Sequence, residues 1–324
     1  MQRKWFVYII GGGLLIALLA LFIDDPEPKH GLTQNTAPAQ QPPAQQAPAT
    51  ASHGGFQFTR TNFDDGWVST VQPKWVEASK GDIRVLLHYP ADVKARNTDP
   101  DVMANAAWDT LVAPRYRDLR NYKTMGSVLT YQRPYLSQGE VTDAATGRAH
   151  FVSIFNQADS GWIEVILPDR ETFVREFGID VEKVNKDPYT DTAIFNRIRG
   201  MGTYNKFAVA PADLPGKWTT NFSANTFYVN RYTGANAGMS TYSSGQEYVF
   251  SGQTYKWHIA AANSSGGQTK VSQAKSEGTF TMPDNWSMNF SDMEGKPKTY
   301  QVQFRAVEGG RILVIDGTAF VRAN

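Results

Sequence analysis

Along the last third of the chain, apolar and polar residues alternate one for one. Tyr255, Trp257 and Ile259 alternate with Thr254, Lys256 and His258, and the sets Trp286, Met288, Phe290 and Tyr300, Val302, Phe304 repeat the pattern. A period of two predicts antiparallel strands with one buried and one wetted face. Turn sequences punctuate them: Ser251-Gly252, Ser264-Ser265-Gly266-Gly267, Met293-Glu294-Gly295-Lys296 and Glu308-Gly309-Gly310. Ile312 to Ile315 is apolar at every position, as an internal closing strand would be. Up-and-down strands from Asp213 onward predict a small closed barrel.

From Phe56 to about Lys206 the pattern is mixed. Phe56, Phe58, Trp67 and Val71 fall in strand-like segments around the turn Asp64-Asp65-Gly66. Trp75 to Ser79, Lys80-Gly81-Asp82 and Ile83 to Tyr89 read as a second hairpin closed by Pro90. Asp99-Pro100 starts a helix, the Asp as cap and the Pro at the first helical position. Met103, Ala107, Trp108 and Leu111 form its apolar face, and Pro114 ends it. Strand patterns return at Ser127 to Tyr131, Ala149 to Phe155 and Trp162 to Leu167. Asp169 caps a short helix that pairs Phe173 with Phe177, and Asp187-Pro188 starts another with Ile194 and Ile198. The order predicts an α+β domain.

Ala212 to Thr220 divides the two regions. Within it, Leu214-Pro-Gly-Lys-Trp218 resembles the first-strand signature of lipocalin-like barrels, a turn followed by Gly-x-Trp entering a strand. Gly216 lets the backbone turn and approach closely, and Trp218 plugs one end of the barrel. The resemblance covers Asp213 to about Thr318 and implies an arginine over the Trp. Arg322 and Arg305 are both candidates. The chain lacks the Thr-Asp-Tyr turn of full lipocalins, so a transport role does not carry over with the fold. By element order alone, Phe56 to Gly178 resembles the PsbP/Mog1 group of α/β/α sandwiches.

Upstream, Trp5 to Ile23 is an uninterrupted uncharged run. As a helix at ~1.5 Å per residue it would reach ~28 Å, close to the ~30 Å hydrocarbon core of a bilayer. Arg3 and Lys4 precede it, and Asp24, Asp25 and Glu27 follow. That asymmetry places the N-terminus in the cytoplasm. The run is longer than the apolar region of a cleaved signal peptide and no small-x-small site closes it, which favours an uncleaved anchor. The expected location is therefore the cytoplasmic (inner) membrane, single-pass, with the folded domains facing the periplasm or exterior. Asp24 to Gly55, rich in Ala, Pro, Gln and Thr, reads as a disordered linker. The expected organisation is a transmembrane signal anchor over 1–23, the linker over 24–55, the α+β domain over 56–206 and the barrel over 207–324.

Composition narrows the chemistry. Lys plus Arg number 32 against 31 Asp plus Glu, for a net charge of +1, so no nucleic-acid partner is implied. Cysteine is absent, which excludes disulfides, thiolate metal sites and a Cys nucleophile. His88, His150 and His258 are scattered on predicted strands with no ligand-pair spacing, so no metal is expected. Gly-x-Ser-x-Gly and phosphate-binding glycine loops are missing. Arg115, Tyr116, Arg117, Arg120, Tyr122 and Lys123 form a basic-aromatic patch after the first helix, read as a solvated helix end or a partner surface.

The aromatic residues carry the remaining signal. Tyr242, Tyr248, Tyr255, Trp257 and Trp286 are the candidate ligand-binding residues for an apolar or planar molecule. The same side chains would equally fill a small barrel solidly. The leading expectation is a membrane-tethered, non-enzymatic binding protein without cofactors, with an apolar small ligand or an envelope protein as partner. An assembly factor docking a protein through the α+β domain is one alternative. A carboxylate-based enzyme is the other.

Overall fold

A computed structural model describes residues 7–10, 55–89, 99–126, 128, 133–157, 161–187, 189–229, 236–265 and 268–323, with the backbone alone for 7–10, 222–229 and 236–240. Within the apolar N-terminal run, the described residues are Val7–Ile10, an extended strand (β1). The rest of that run, and the linker expected after it as far as 54, lie outside the described residues. Among the described residues no helix is long and apolar enough to cross a membrane. The chain divides into two units: Pro43–Asp213 with Gln303–Ile312, and Leu214–Val302 with Leu313–Asn324.

The first unit is built on one antiparallel sheet. Its strands are Arg60–Asn62 (β2), Val68–Val71 (β3), Trp75–Lys80 (β4), Ile83–His88 (β5), Tyr116–Thr124 (β6), Pro134–Asp143 (β7), Ala149–Gln157 (β8) and Ile163–Leu167 (β9). They lie in the order β2-β3-β4-β5-β9-β8-β7-β6. Both faces are covered, which explains why β9 is buried at every position. On one face, Ala107, Trp108 and Val112 pack on Leu86, Val152, Ile154 and Ile166. They come from helix α1 (Pro100–Ala107) and the wider turn that continues it to Val112. Asp99 caps α1, its side chain accepting from the Asp101 amide at 2.8 Å. On the other face, Phe151 meets Phe173 of α2 (Arg170–Phe177) at 5.5 Å, and Phe155 stacks on Phe195 at 5.8 Å.

Three expectations for this unit need correction. The basic-aromatic patch is the edge strand β6, not a helix end: Pro114 stops the helix, and the chain turns directly into extended backbone at Tyr116. Strand β7 was hidden because it is buried on both sides for most of its length, so its residues do not alternate. Asp187-Pro188 is not a helix start. Asp180 caps a helix α3 (Val181–Lys186) that ends at Asp187, and Asp191 caps the next turn, Thr192–Phe195, before α4 (Asn196–Gly200). The strand expected at Ser127 to Tyr131 falls mostly outside the described residues.

The C-terminal part of the chain holds a closed eight-stranded antiparallel barrel. Its strands are Gly216–Val229 (β10), Asn236–Ser251 (β11), Thr254–Ser265 (β12), Gln268–Asp284 (β13), Ser287–Phe290 (β14), Lys298–Val307 (β15), Gly310–Ile315 (β16) and Thr318–Ala323 (β17). Each pairs with the next, and β10 pairs with β17 to close the ring. Closure is confined to one end of β10, where Lys217, Trp218 and Thr219 face Ala323, Arg322 and Val321. Likewise β14 joins β13 only from Phe280 to Asp284. Strands β10 to β13 therefore run on past the ring as a four-stranded sheet. On the far part of β10, residues 225–228 pair with β1.

Register explains where the ring stops. Two successive cross-strand rows on the inward face are Gly216, Phe250, Tyr255, Gly278 and Trp218, Tyr248, Trp257, Ser276. The next row, Thr220, Gln246, Ile259 and Ala274, has lost its aromatics. Inside the ring the aromatic side chains pack on one another. Tyr248 stacks on Phe250 at 5.6 Å and meets Phe320 edge-on at 5.2 Å, and Tyr255 meets Phe290 edge-on at 4.7 Å. The ring interior is thus a packed core. At Gly278 the absence of a side chain leaves room for Ser291 Oγ, which a Cβ there would displace.

Candidate functional site at the barrel rim

The sequence-derived ligand residues separate into two groups. Tyr248 and Tyr255 are buried in the packed core, and Trp286 is buried at the turn leading into β14. Tyr242 stands far out on β11, opposite Asn263, and is half-buried. Trp257 is different. It sits in the last aromatic row, where the ring opens into the four-stranded sheet.

Trp257 borders a cavity of about 490 Å³. The lining combines Trp257 and Ser276 with Lys256, His258, Lys275, Glu277, Glu247 and Val249, and with Asp292 from the loop after β14. Trp257 is 8% exposed, and its indole Nε1 is buried with no hydrogen-bond partner. A buried N–H without an acceptor costs about 1–3 kcal/mol, so native proteins rarely leave one.

The Asp292 side of the cavity is held in place locally. Tyr255 Oη donates to the Asp292 carbonyl. The Glu294 amide donates to Ser276 Oγ at 2.8 Å, and the Gly295 amide to Asp292 Oδ1 at 2.8 Å. Lys298 pairs with Glu294 at 2.7 Å. Across the cavity, Lys217 pairs with Glu247 at 2.5 Å. Burial raises the Tyr255 and Tyr248 hydroxyl pKa values above the usual phenol range, so both stay protonated donors at neutral pH. The rim is charged with both signs, while the wall at Trp257 is aromatic.

Sequence reasoning missed a second polar cluster, in the α+β unit. Glu164 on β9 is wholly buried between His88 and Arg115. His88 Nε2 lies 2.9 Å from Glu164 Oε2, Arg115 Nη2 donates to the same oxygen, and Tyr116 Oη donates to Oε1 at 3.5 Å. The Arg115 guanidinium also lies over the rings of Trp75 and Tyr116, at 5.2 and 5.3 Å. His88 is thus a hydrogen-bonded core histidine, whereas His150 is half-buried and His258 lines the rim cavity. A carboxylate inside an otherwise apolar strand, Ile163-Glu-Val-Ile-Leu167, was the available signal. With Glu164 engaged by three donors, the cluster is a structural ion network.

Among the described residues no group of three or more His, Asp or Glu is placed to hold a metal. The chain matches no protein-family profile, no curated protein and no solved structure.

Proposed function

We propose that the protein is a membrane-tethered, envelope-facing binding protein whose barrel takes a small planar, largely apolar ligand at its rim. The observation that carries this reading is Trp257 itself, which borders a cavity of about 490 Å³ and whose buried indole Nε1 has no hydrogen-bond partner. Tethering rests on the charge-flanked run from Trp5 to Ile23. The lipocalin-like reading of the barrel rests on Gly216-x-Trp218, and the PsbP/Mog1-like reading of the α+β unit on element order. The aromatic packing of the ring interior supports a site at the rim, at Trp257, over one inside the ring at Tyr248 and Tyr255.

The test is a titration of the full chain with 1-anilinonaphthalene-8-sulfonate, a planar apolar probe with acceptor oxygens. One saturable site is expected. Trp257→Phe, which keeps an aromatic ring and removes the donor, should weaken it about tenfold, the size of one good hydrogen bond. Absence of a saturable site, or equal affinity in the variant, would overturn the reading.

A further inference from the structure

A second groove, in the α+β unit, has a different chemistry. It is open, about 500 Å³, and lined by Asp101, Asn105, Tyr122, Lys123, Thr124, Glu182 and Asn185. Asp101 and Asn105 are four apart on α1, and Glu182 and Asn185 are three apart on α3. Those spacings put each carboxylate–amide pair on one face of its helix. Strand β6 supplies Tyr122 to Thr124 between them. Three separate elements thus bring two carboxylate–amide pairs to one groove.

Their hydrogen bonds are only partly used. Tyr122 Oη donates to Asn105 Oδ1 at 2.6 Å, which leaves that amide's N–H groups as donors. Asn185 Nδ2 donates to the Thr124 carbonyl at 3.2 Å, which leaves its oxygen as an acceptor. Lys123 pairs with Glu182. Asp101 Oδ1 is buried and has no partner. The groove therefore offers donors and acceptors side by side, with one shielded carboxylate oxygen lacking a donor.

From this set we infer that the groove binds a saccharide. A sugar hydroxyl donates and accepts at once, and neighbouring hydroxyls match the paired oxygen and nitrogen of carboxylate and amide. A hydroxyl donating to Asp101 Oδ1 would satisfy the orphaned acceptor. A divalent cation fits less well. Calcium wants six to eight oxygens, and here the Lys123 ammonium occupies Glu182 within the groove.

The experiment is saturation-transfer NMR on the full chain with three probes: cellotriose, the N-acetylglucosamine trimer and the galacturonate trimer. Each is used at about 10 mM, enough to reveal millimolar dissociation constants. At least one should receive saturation. Asp101→Asn and, separately, Asn185→Ala should each weaken it about tenfold while the thermal midpoint stays within about 2 °C of the parent. No transfer to any of the three sugars, or unchanged binding in both variants, would overturn the inference. So would calcium chloride alone raising the thermal midpoint of the parent but not of Asp101→Asn, which would assign a cation site instead.

Discussion

Arg322 lies over Trp218 across the seam that closes the barrel. Its guanidinium carbon is 5.4 Å from the indole centroid, and the two residues are directly paired in register. Arg322 also donates to the Pro215 carbonyl, and Trp218 Nε1 donates to the Leu214 carbonyl at 2.8 Å. Gly216 makes this possible: its φ is 123°, and a Cβ there would come within 3.3 Å of Arg322 Nε. Of the two arginines the sequence offered for this position, Arg322 fills it.

Trp218 is fully buried, so Trp218→Ala should cost about 3–5 kcal/mol in lost transfer energy and cavity. Arg322→Ala should cost less, about 0.5–2 kcal/mol for the cation–π contact. Hydrogen exchange resolved by region should show loss of protection over Leu214–Val302 in Trp218→Ala, with β5, β8 and β9 still protected. Wild-type protection across the barrel in that variant would remove Trp218 as its plug.

The Glu164 network makes a separate prediction. Removing the carboxylate leaves His88 and Arg115 facing an uncompensated site, and breaking a buried pair costs about 3–5 kcal/mol. Glu164→Ala should lower the unfolding free energy read from urea titration by that amount, and the pair of changes Glu164→Leu with Arg115→Met should recover a large part of it. A Glu164→Ala variant as stable as the parent would show that the network contributes nothing to the fold.

Stability should fall at alkaline pH. Burial raises the Tyr89 hydroxyl from 10.0 to about 12, and Tyr248, Tyr255 and Tyr300 are raised in the same direction, chiefly by burial. With folded values above unfolded ones, the stabilisation is complete below pH about 10 and is lost as the pH climbs through the folded values. Urea midpoints measured from pH 8 upward should be flat and then drop, and Tyr89→Phe and Tyr248→Phe should each blunt the drop. A flat profile to pH about 12 would contradict the burial of these hydroxyls.

Tyr255 ties the core to the rim. Its hydroxyl holds the Asp292 carbonyl, and Asp292 borders the cavity. Tyr255→Phe should cost about 1 kcal/mol. It should also weaken probe binding several-fold without changing the Trp257 environment in the free protein. Unaltered affinity would separate the loop after β14 from the site.

How much of this was legible follows from the residues. The barrel was readable because Tyr255, Trp257, Met288, Phe290, Tyr300 and Val302 alternate with polar neighbours, and because Gly216-x-Trp218 marks its start. The end of α1 was readable from Pro114, but the strand after it was not, since Asp118 and Asn121 at φ 55° and 50° interrupt its pairing with β7. The four-stranded sheet beyond the ring went unseen, although aromatics give way to Ala261, Ser272 and Ala274 where the ring ends. Glu164 and the Asp101–Asn185 groove depend on contacts between distant segments, which no local pattern encodes.

If a ligand binds at the rim, the Trp257 N–H is the donor it uses, and the indole cross-peak of that residue in a ¹H–¹⁵N NMR spectrum reports on it directly. Trp257→Phe identifies the peak among the 8 tryptophans. On saturation with 1-anilinonaphthalene-8-sulfonate the Trp257 indole proton should move downfield, as expected for a donor that gains an acceptor, while the Trp218 indole, bonded to Leu214, stays in place. An unmoved Trp257 peak at saturation would contradict ligand binding through this N–H.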